Sequence, residues 1–229
     1  MLAIHDVAPR QILRQFRGRM SRKTDPFAVD LTPELILRAY QAGIFPMAED
    51  AAADDVFWVS PERRGIIPLE AVHISRSLRK TLRTHPYAVR VDTDFAAVIH
   101  GCASYGTERE TTWINGEIRR LYGALFDRGY VHTVEVWDGS DLVGGLYGVS
   151  IGAAFFGESM FHRKTDCSKI AMAHLLDRLR AGRYRLCDTQ FVTDHLRTFG
   201  GIEITREDYE LRLADAIAHE ADWHAIDNF

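Results

Sequence analysis

The turn at 151–152 constrains the fold of this chain more than any other feature of its sequence. It separates two apolar stretches, 142–150 and 153–157, which are typical of strands and which so short a turn joins as an antiparallel pair. A helical stretch at 169–181 then precedes a further strand at 185–191, and the two strands of a strand–helix–strand unit run parallel. These segments predict an α/β fold with a mixed sheet flanked by helices.

The remaining elements follow from apolar periodicity and from capping residues. The clearest helix is 33–42, because Thr32 suits the position before a helix and Gly43 follows its end. The other predicted helices are 75–83, 95–103, 116–128, 193–199 and 207–218, and the other predicted strands are 87–91 and 132–137.

A dense series of turn-forming residues lies between Ser60 and Pro68. Such a series marks a boundary between structural units, so we expect a small N-terminal domain at 1–64 and a larger domain at 65–229. A chain of 229 residues is long enough for one main domain with a small addition.

The composition is that of a globular protein, with 46% apolar and 26% charged residues. No uninterrupted apolar run approaches the roughly 20 residues of a membrane-spanning helix, and the first residues lack the pattern of a secretory signal. We therefore expect a cytoplasmic protein. Cys102, Cys167 and Cys187 are widely spaced and form no Cys-x-x-Cys pair, which predicts reduced thiols and no metal site.

The net charge of -4 provides no overall attraction for nucleic acid, so such binding would need a local basic patch. Two candidates are the segment 10–23, which is rich in basic residues, and the predicted helix 75–83, whose basic residues are spaced along one face. Either patch suits contact with phosphates, and a solvated face is the alternative. The residues are Arg10, Arg14, Arg17, Arg19, Arg22 and Lys23 in the first patch, and Arg76, Arg79, Lys80 and Arg83 in the second.

Three glycines, Gly144, Gly145 and Gly148, lie within the predicted strand 142–150. Glycine weakens a strand, which indicates that another backbone or a ligand comes close, but a bulge or tight packing explains it equally well. Glu158 follows the next strand between apolar flanks. A carboxylate buried there needs a partner, and a structural salt bridge would serve as well as a substrate.

Asp188 and Gln190 are two residues apart in the last strand of the predicted parallel pair, so their side chains lie on one face of the sheet. They also lie at the carboxyl end of that strand, where α/β sheets commonly place their sites. This position favours a functional role for both residues.

Several short segments follow one another in a specific order along 31–209. They are Ala39-Tyr40 with Gly43-Ile44-Phe45-Pro46, Trp58 with Ser60-Pro61, His73-Ile74-Ser75-Arg76-Ser77, Thr112-Trp113-Ile114, Glu135-Val136-Trp137, 143–148, 157–161, Asp188 with Gln190, and Asp194-His195. Several would be weak signals alone. Their combination and order resembles leucyl/phenylalanyl-tRNA–protein transferases.

The resemblance implies an enzyme that transfers Leu or Phe from aminoacyl-tRNA to the α-amine of proteins with an N-terminal Lys or Arg, which marks those proteins for degradation. It also implies a small N-terminal domain and a C-terminal domain of the acetyltransferase-like (GNAT-type) fold. We expect no cofactor, no membrane partner and a monomer.

The resemblance also suggests roles for individual residues. It implies that Glu158 lies beside the aminoacyl group, and it strengthens the case that the predicted helix 75–83 contacts tRNA through Arg76, Arg79, Lys80 and Arg83. An apolar pocket separates side chains that differ by one methylene only weakly, so some transfer of Met is a reasonable hypothesis. The residues expected to bind the donor amino acid are Trp113, Gly145, Leu146, Phe155 and Met160.

The chemistry requires no strong base, because an α-amine has a pKa near 7.7 to 8.0 and about a tenth of it is neutral at pH 7. The mechanism associated with the family makes Gln190 the acceptor of the amine proton, assisted by Asp188. Since an amide oxygen is a very poor base, we expect Gln190 to orient the attacking N–H instead. Asp188 would fix the rotamer of Gln190 or hold the acceptor's cation, and Glu158 suits an ammonium or a basic side chain.

Two other functions remain open on the sequence alone. A coenzyme A-dependent acetyltransferase of similar fold would need a Gly-rich turn for the pyrophosphate, whereas the turn at 162–168 has no glycine and contains an acid, Asp166. A non-catalytic adaptor for basic protein N-termini would need an acidic pocket but no aligned Asp188 and Gln190.

Overall fold

The computed structural model describes residues 31–53, 56–104 and 112–227. The helices are α1 (Pro33–Gln41), α2 (Arg76–Thr84), α3 (Phe95–Ser104), α4 (Gly116–Phe126), α5 (Cys167–Ala181), α6 (Asp194–Arg197) and α7 (Arg206–Ile217), with a 3₁₀ helix at Leu69–Ala71. The strands are β1 (Phe45–Ala48), β2 (Val56–Val59), β3 (Arg63–Ile66), β4 (Ala88–Val91), β5 (Val131–Asp138), β6 (Asp141–Ile151), β7 (Ala154–His162), β8 (Leu186–Gln190) and β9 (Ile202–Thr205).

Capping side chains determine where several of these helices begin. Thr32 accepts a hydrogen bond from the Leu35 amide at 3.2 Å, and Pro33 occupies the first turn of α1. Ser75 caps α2 and Asn115 caps α4 through the same type of bond. These helices therefore start where the sequence predicts, because the caps are local. No helix in the described parts of the chain is long and apolar enough to span a membrane.

Seven strands form one sheet in the order β4-β5-β6-β7-β8-β3-β9. β6 and β7 form the antiparallel hairpin predicted from the turn at 151–152, with Ile151 opposite Ala154. β7 and β8 run parallel, and α5 is the crossover that connects them. The predicted mixed sheet flanked by helices is therefore confirmed. β1 and β2 form a separate antiparallel pair.

Four strands, β1, β2, β3 and β9, have no counterpart among the sequence predictions. Each has only four residues, and β3 contains the run Arg63-Arg64-Gly65, which does not alternate between apolar and polar. β3 lies between β8 and β9 in the large sheet, so it overlaps the expected boundary near residue 64. β7 also continues to His162, beyond the predicted end at 157, and this places Glu158 inside a strand.

The two faces of the large sheet pack into two separate apolar clusters. One cluster contains Tyr147 and Phe156 together with residues of α1, α3 and α4, and the other contains Leu146 and Phe155 together with residues of α5. Adjacent residues fall into different clusters because successive side chains of a strand point to opposite faces. We call these the α4 face and the α5 face of the sheet.

Close packing accounts for two of the glycines in β6. A Cβ atom on Gly144 would lie 2.6 Å from the Cβ atom of Cys167, where α5 begins. A Cβ atom on Gly148 would collide with the carbonyl oxygen of Phe156, beside a register shift between β6 and β7. The packing of the sheet therefore requires glycine at both positions without any ligand.

Candidate active site

Asp188 is fully buried in β8 and accepts hydrogen bonds from three other residues. Arg64 of β3 donates to both carboxylate oxygens, with its Nε 2.9 Å from Oδ1 and its Nη2 2.6 Å from Oδ2. The hydroxyl of Tyr209 in α7 donates to Oδ2 at 2.7 Å, and the backbone amide of Gln190 donates to Oδ1 at 2.7 Å. The carboxylate is thus neutralised and surrounded by protein donors.

Arg64 is only 1% exposed, and the protein contacts it on all sides. Its guanidinium lies between the rings of Phe45 and Tyr209, 4.7 and 4.5 Å from their centroids, and its Nη1 donates to the carbonyl of Gly43 at 3.0 Å. Burial opposes its charge, but Asp188 and the nearby tyrosine outweigh that effect and raise the pKa of Arg64. The ion pair therefore links β3, β8 and the segment that follows α1.

Gln190 ends β8 with a φ of 61°, a left-handed conformation that residues other than glycine seldom adopt. Its Nε2 donates to Oε1 of Glu158 at 2.8 Å, as expected for an amide facing a carboxylate. Its buried Oε1 has no hydrogen-bond partner among the described residues. A buried acceptor without a partner is unfavourable by roughly 1–3 kcal/mol, so this atom suits a donor on a substrate.

Glu158 is 4% exposed, and its closest partners are all neutral donors. The hydroxyl of Tyr40 in α1 donates to Oε1 at 2.6 Å, the hydroxyl of Tyr122 in α4 donates to Oε2 at 3.1 Å, and the two hydroxyls touch each other. Burial raises the pKa of Glu158 to about 7, against the opposing effect of hydrogen bonds from Tyr40, Tyr122 and Gln190. Its charge state is therefore poised near neutral pH.

An irregularity in the pairing of β6 with β7 places Glu158 in this group. Tyr147 pairs with Ser159 and Gly148 pairs with Gly157, which leaves Glu158 with no residue opposite it. An extra residue of this kind is a β-bulge, and bulges often redirect a side chain beside an active site.

Arg64, Tyr209, Tyr40 and Tyr122 are the members of this site that sequence reasoning missed. Tyr40 is 118 residues from Glu158, and Arg64 is 124 residues from Asp188, so no local spacing connects either pair. The sequence contained only an indirect indication of Tyr40 and Tyr122. A tyrosine on the apolar side of a helix needs a partner for its hydroxyl once it is buried.

The residues expected to bind the donor side chain lie on both faces of the sheet. Leu146, Phe155 and Met160 are together in the cluster on the α5 face, where they are 2%, 0% and 2% exposed. Trp113 is buried in the cluster on the α4 face. A Cβ atom on Gly145 would also point to the α4 face, towards Val98 and Phe161. The structure therefore does not bring all five residues into one pocket.

The predicted helix with one basic face is α2, and Arg76, Arg79, Lys80 and Arg83 are all exposed on it. Arg79 donates from Nε to the carbonyl of Ile74 at 3.0 Å. None of the four forms an ion pair with an acidic side chain of the described residues. Their charge remains available to an external anion. The other basic segment, 10–23, lies outside the described residues.

Potential metal-binding side chains are scattered over the described part of the chain. No group of three or more His, Cys, Asp and Glu side chains lies close enough there to hold a metal ion. Cys102, Cys167 and Cys187 are buried, and no disulfide joins them. Burial raises the pKa of the Cys187 thiol, next to the site in β8.

Comparison with known proteins gives a consistent result over most of the chain. The family described as leucyl/phenylalanyl-tRNA protein transferase matches residues 66–214, and the N-terminal domain of that family matches residues 29–62. A protein of Afipia carboxidovorans with the name leucyl/phenylalanyl-tRNA–protein transferase is 53% identical over 202 residues, which is 88% of this chain and 89% of that protein. A protein of the same name from Paramagnetospirillum magneticum is 55% identical over 191 residues, 83% of this chain and 91% of that protein.

A solved structure from Staphylococcus epidermidis, described as a functionally unknown conserved protein, is also similar. It is 9% identical, and the match covers 77% of this chain and 66% of that chain with a TM-score of 0.37. This similarity is too low to establish a shared fold.

Proposed function

Since this chain belongs to the leucyl/phenylalanyl-tRNA–protein transferase family and transfers an aminoacyl group from tRNA to proteins, we propose that its donors are Leu-tRNA and Phe-tRNA. Its acceptors are proteins with an N-terminal Lys or Arg, which the transfer marks for degradation. It acts in the cytoplasm as a monomer without a cofactor. The observation that carries this proposal is the buried Oε1 of Gln190 beside Glu158, which has no hydrogen-bond partner among the described residues.

In this proposal Gln190 orients the attacking α-amine. An N–H of the neutral amine donates to Oε1, and the amide cannot turn over without losing the bond from its Nε2 to Glu158. A new C–N bond replaces the ester C–O bond of the charged tRNA. The amine loses one proton and the ribose oxygen gains one, so the reaction consumes no external acid or base. Correct positioning of two bound reactants can supply roughly 7 to 11 kcal/mol, far more than a weak base.

In this proposal Asp188 holds the backbone of Gln190 and does not bind the acceptor's cation. Its oxygens already accept from Arg64, Tyr209 and the amide of Gln190. This role differs from both roles that the sequence suggested, since Asp188 bonds to the backbone amide of Gln190 and not to its side chain. The side-chain amide of Gln190 is fixed by Glu158 instead.

Glu158 is the group we assign to positive charge on the substrates. Its known partners are neutral, and burial raises its pKa to about 7. A cation that approaches this carboxylate favours its ionised form, and a charge-assisted hydrogen bond contributes about 1.5–3 kcal/mol. An acceptor with an N-terminal Lys or Arg supplies such a cation.

We assign the donor's Leu or Phe side chain to the α4 face beside Trp113 and Gly145, because Tyr40 and Tyr122, the partners of Glu158, belong to the cluster on that face. Leu146, Phe155 and Met160 lie on the opposite, α5 face of the sheet, so we assign them to the core and not to the pocket. Some transfer of Met is compatible with such a pocket.

The basic face of α2 is our candidate for contact with the tRNA phosphates. Its four charges are exposed and have no acidic partner among the described residues. The fold of the larger domain, 65–229, is proposed to be acetyltransferase-like, because a hairpin leads into a parallel pair through one helix, as in that fold. The smaller domain is proposed to end near residue 64.

The proposal is tested by incubating the protein with Leu-tRNA that carries a labelled amino acid and with a peptide that begins with Arg. We expect the label to move to the peptide, and a peptide that begins with Glu serves as the control. Acetyl-coenzyme A in place of charged tRNA should give no product. Equal labelling of both peptides would overturn the assignment of basic N-termini, and acetylation would favour the coenzyme A alternative.

A further inference from the structure

We infer that Arg64 is a positioning residue for the transfer reaction. It lies between the two segments that match the family, 29–62 and 66–214, and it touches both. Through Asp188 it fixes the end of β8, and through Gly43 it fixes the segment after α1. This inference rests on the function proposed for the site.

Asp188 depends on Arg64 for its charge balance. Both side chains are almost completely excluded from solvent, at 0% and 1% exposure. Arg64 supplies the only cation that bonds to this carboxylate among the described residues, and it does so through Nε and Nη2 together. A buried carboxylate without that cation would have to protonate or move.

Asp188 in turn holds Gln190 in an unfavourable backbone conformation. The φ of 61° at Gln190 is outside the range that most residues prefer, so the surrounding contacts must maintain it. The bond from the Gln190 amide to Oδ1 of Asp188, at 2.7 Å, acts directly on this backbone. If Asp188 moves, we expect Gln190 to relax and its Oε1 to turn away from the substrate.

Arg64 also holds the segment that carries Tyr40, on the other side of Glu158. Arg64 donates to the carbonyl of Gly43, and Gly43 follows Tyr40 by three residues. Tyr40 donates to the same oxygen of Glu158 that accepts from Gln190. One guanidinium therefore holds both segments whose side chains converge on Glu158.

A guanidinium is needed here because its shape matters as well as its charge. It is flat enough to fit between the rings of Phe45 and Tyr209 while it donates to two different groups. A lysine would keep the charge but could not reproduce this fork. Arg64→Lys is therefore the informative substitution. Arg185, which forms an exposed ion pair with Asp215 at 2.9 Å, provides the matched Arg185→Lys control.

The test compares the kinetics of the parent, Arg64→Lys and Arg185→Lys with charged Leu-tRNA and an Arg-peptide. We expect Arg64→Lys to lower kcat by about 100-fold because the reacting group is misplaced, with the KM for charged tRNA unchanged. Arg185→Lys should behave like the parent. A folded Arg64→Lys variant with the parent's kcat would overturn the inference, and so would a loss confined to the KM for tRNA.

Two further measurements cover a variant that folds poorly. Arg64→Ala should regain activity when guanidinium ions are added at low concentration, and ammonium ions should not restore it. Tyr209→Phe, which removes one bond to Asp188, should lower kcat about 10-fold and leave the fold intact. If guanidinium fails to rescue the first variant and the second has the parent's kcat, Arg64 has no positioning role.

A spectroscopic measurement separates this inference from the proposed function. The side-chain amide resonance of Gln190 in a ¹⁵N-labelled protein can be assigned from its loss in Gln190→Ala. We expect Arg64→Lys to shift or broaden that resonance and Arg185→Lys to leave it in place. An unshifted resonance in Arg64→Lys would overturn the inference, whatever the substrate. A parent enzyme that fails to label the Arg-peptide would instead overturn the proposed function.

Discussion

Asp188 and Glu158 are two buried carboxylates on neighbouring strands, β8 and β7, and their surroundings are opposite. Asp188 is paired with a cation, Arg64, and it also accepts from a hydroxyl and an amide. Among the described residues Glu158 accepts only from neutral groups, and burial raises its pKa to about 7. We infer from this difference that Asp188 has a structural role, whereas a cation on a substrate can balance the charge of Glu158.

The largest effect is expected from Asp188→Asn, which removes the partner of a buried cation. We expect the free energy of unfolding to fall by about 3–5 kcal/mol, because Arg64 would remain buried without a counter-charge. Urea denaturation measures this directly. Asp215→Asn breaks the exposed pair with Arg185 and should change stability by less than about 1 kcal/mol. Similar values for the two variants would show that Asp188 is no more structural than a surface carboxylate.

The second effect concerns pH and Glu158. Its pKa is raised on folding from 4.5 to about 7, so the folded state binds the proton more tightly. The resulting stability is fully present below pH 4.5 and is lost as the pH rises through about 7. The expected loss is roughly 3 kcal/mol, as an order of magnitude for a buried group.

This pH effect is measured as the difference in unfolding free energy between the parent and Glu158→Gln at pH 5 and at pH 8. Glu158→Gln should not show this fall in unfolding free energy between pH 5 and pH 8. The other titrating groups contribute equally to both proteins, so their effects cancel in the difference. Glu210→Gln, at an exposed position in α7, is the control that should retain the fall. A difference that does not vary with pH would mean that Glu158 is ionised throughout, like a paired carboxylate.

Gln190→Ala removes the side chain that bonds to Glu158 from the residue whose backbone bonds to Asp188. We expect kcat to fall about 100-fold, because the attacking amine loses the acceptor that orients it. Thr189→Ala is the control, since the Thr189 hydroxyl donates only to the carbonyl of Phe191 at 3.3 Å. Steady-state transfer to an Arg-peptide measures both. Turnover within about threefold of the parent, or less than about 0.7 kcal/mol, would exclude Gln190 from the reaction.

The smallest effect on stability is expected from substitutions on the basic face of α2. The charges there are exposed to solvent, whereas those of Arg64 and Asp188 are buried. Replacing Arg76 and Lys80 with Gln should change the free energy of unfolding by less than about 0.5 kcal/mol. It should raise the KM for charged tRNA and make that KM less dependent on salt, because fewer phosphate contacts remain. An unchanged salt dependence would remove α2 from the tRNA-binding surface.

The sequence predicted the fold most accurately where one short segment determines the local structure. The turn at 151–152 predicted the hairpin of β6 and β7, and the helix that follows predicted the parallel pairing of β7 with β8. It failed for β3, whose strand conformation depends on β8 and β9 on either side, not on its own pattern. The capped helices were placed well because their caps lie within three residues.

In the candidate site, too, the sequence predicted what depends on local position and missed what depends on distant residues. Glu158, Asp188 and Gln190 were identified from the sequence, through their positions in strands and the family resemblance. Their partners were not, because Arg64, Tyr40 and Tyr122 reach them from distant parts of the chain. The role that we propose for Asp188 also differs from the one expected from the sequence, because Arg64 and Tyr209 already donate to its oxygens.

The sequence by itself determined the mixed sheet, the family and the three polar residues at its centre, because turns, caps and short motifs act locally. Only the tertiary structure decided which carboxylate is neutralised and which remains without a cation. That decision depends on the burial of each group and on side chains that approach through space, and neither quantity is encoded in local spacing.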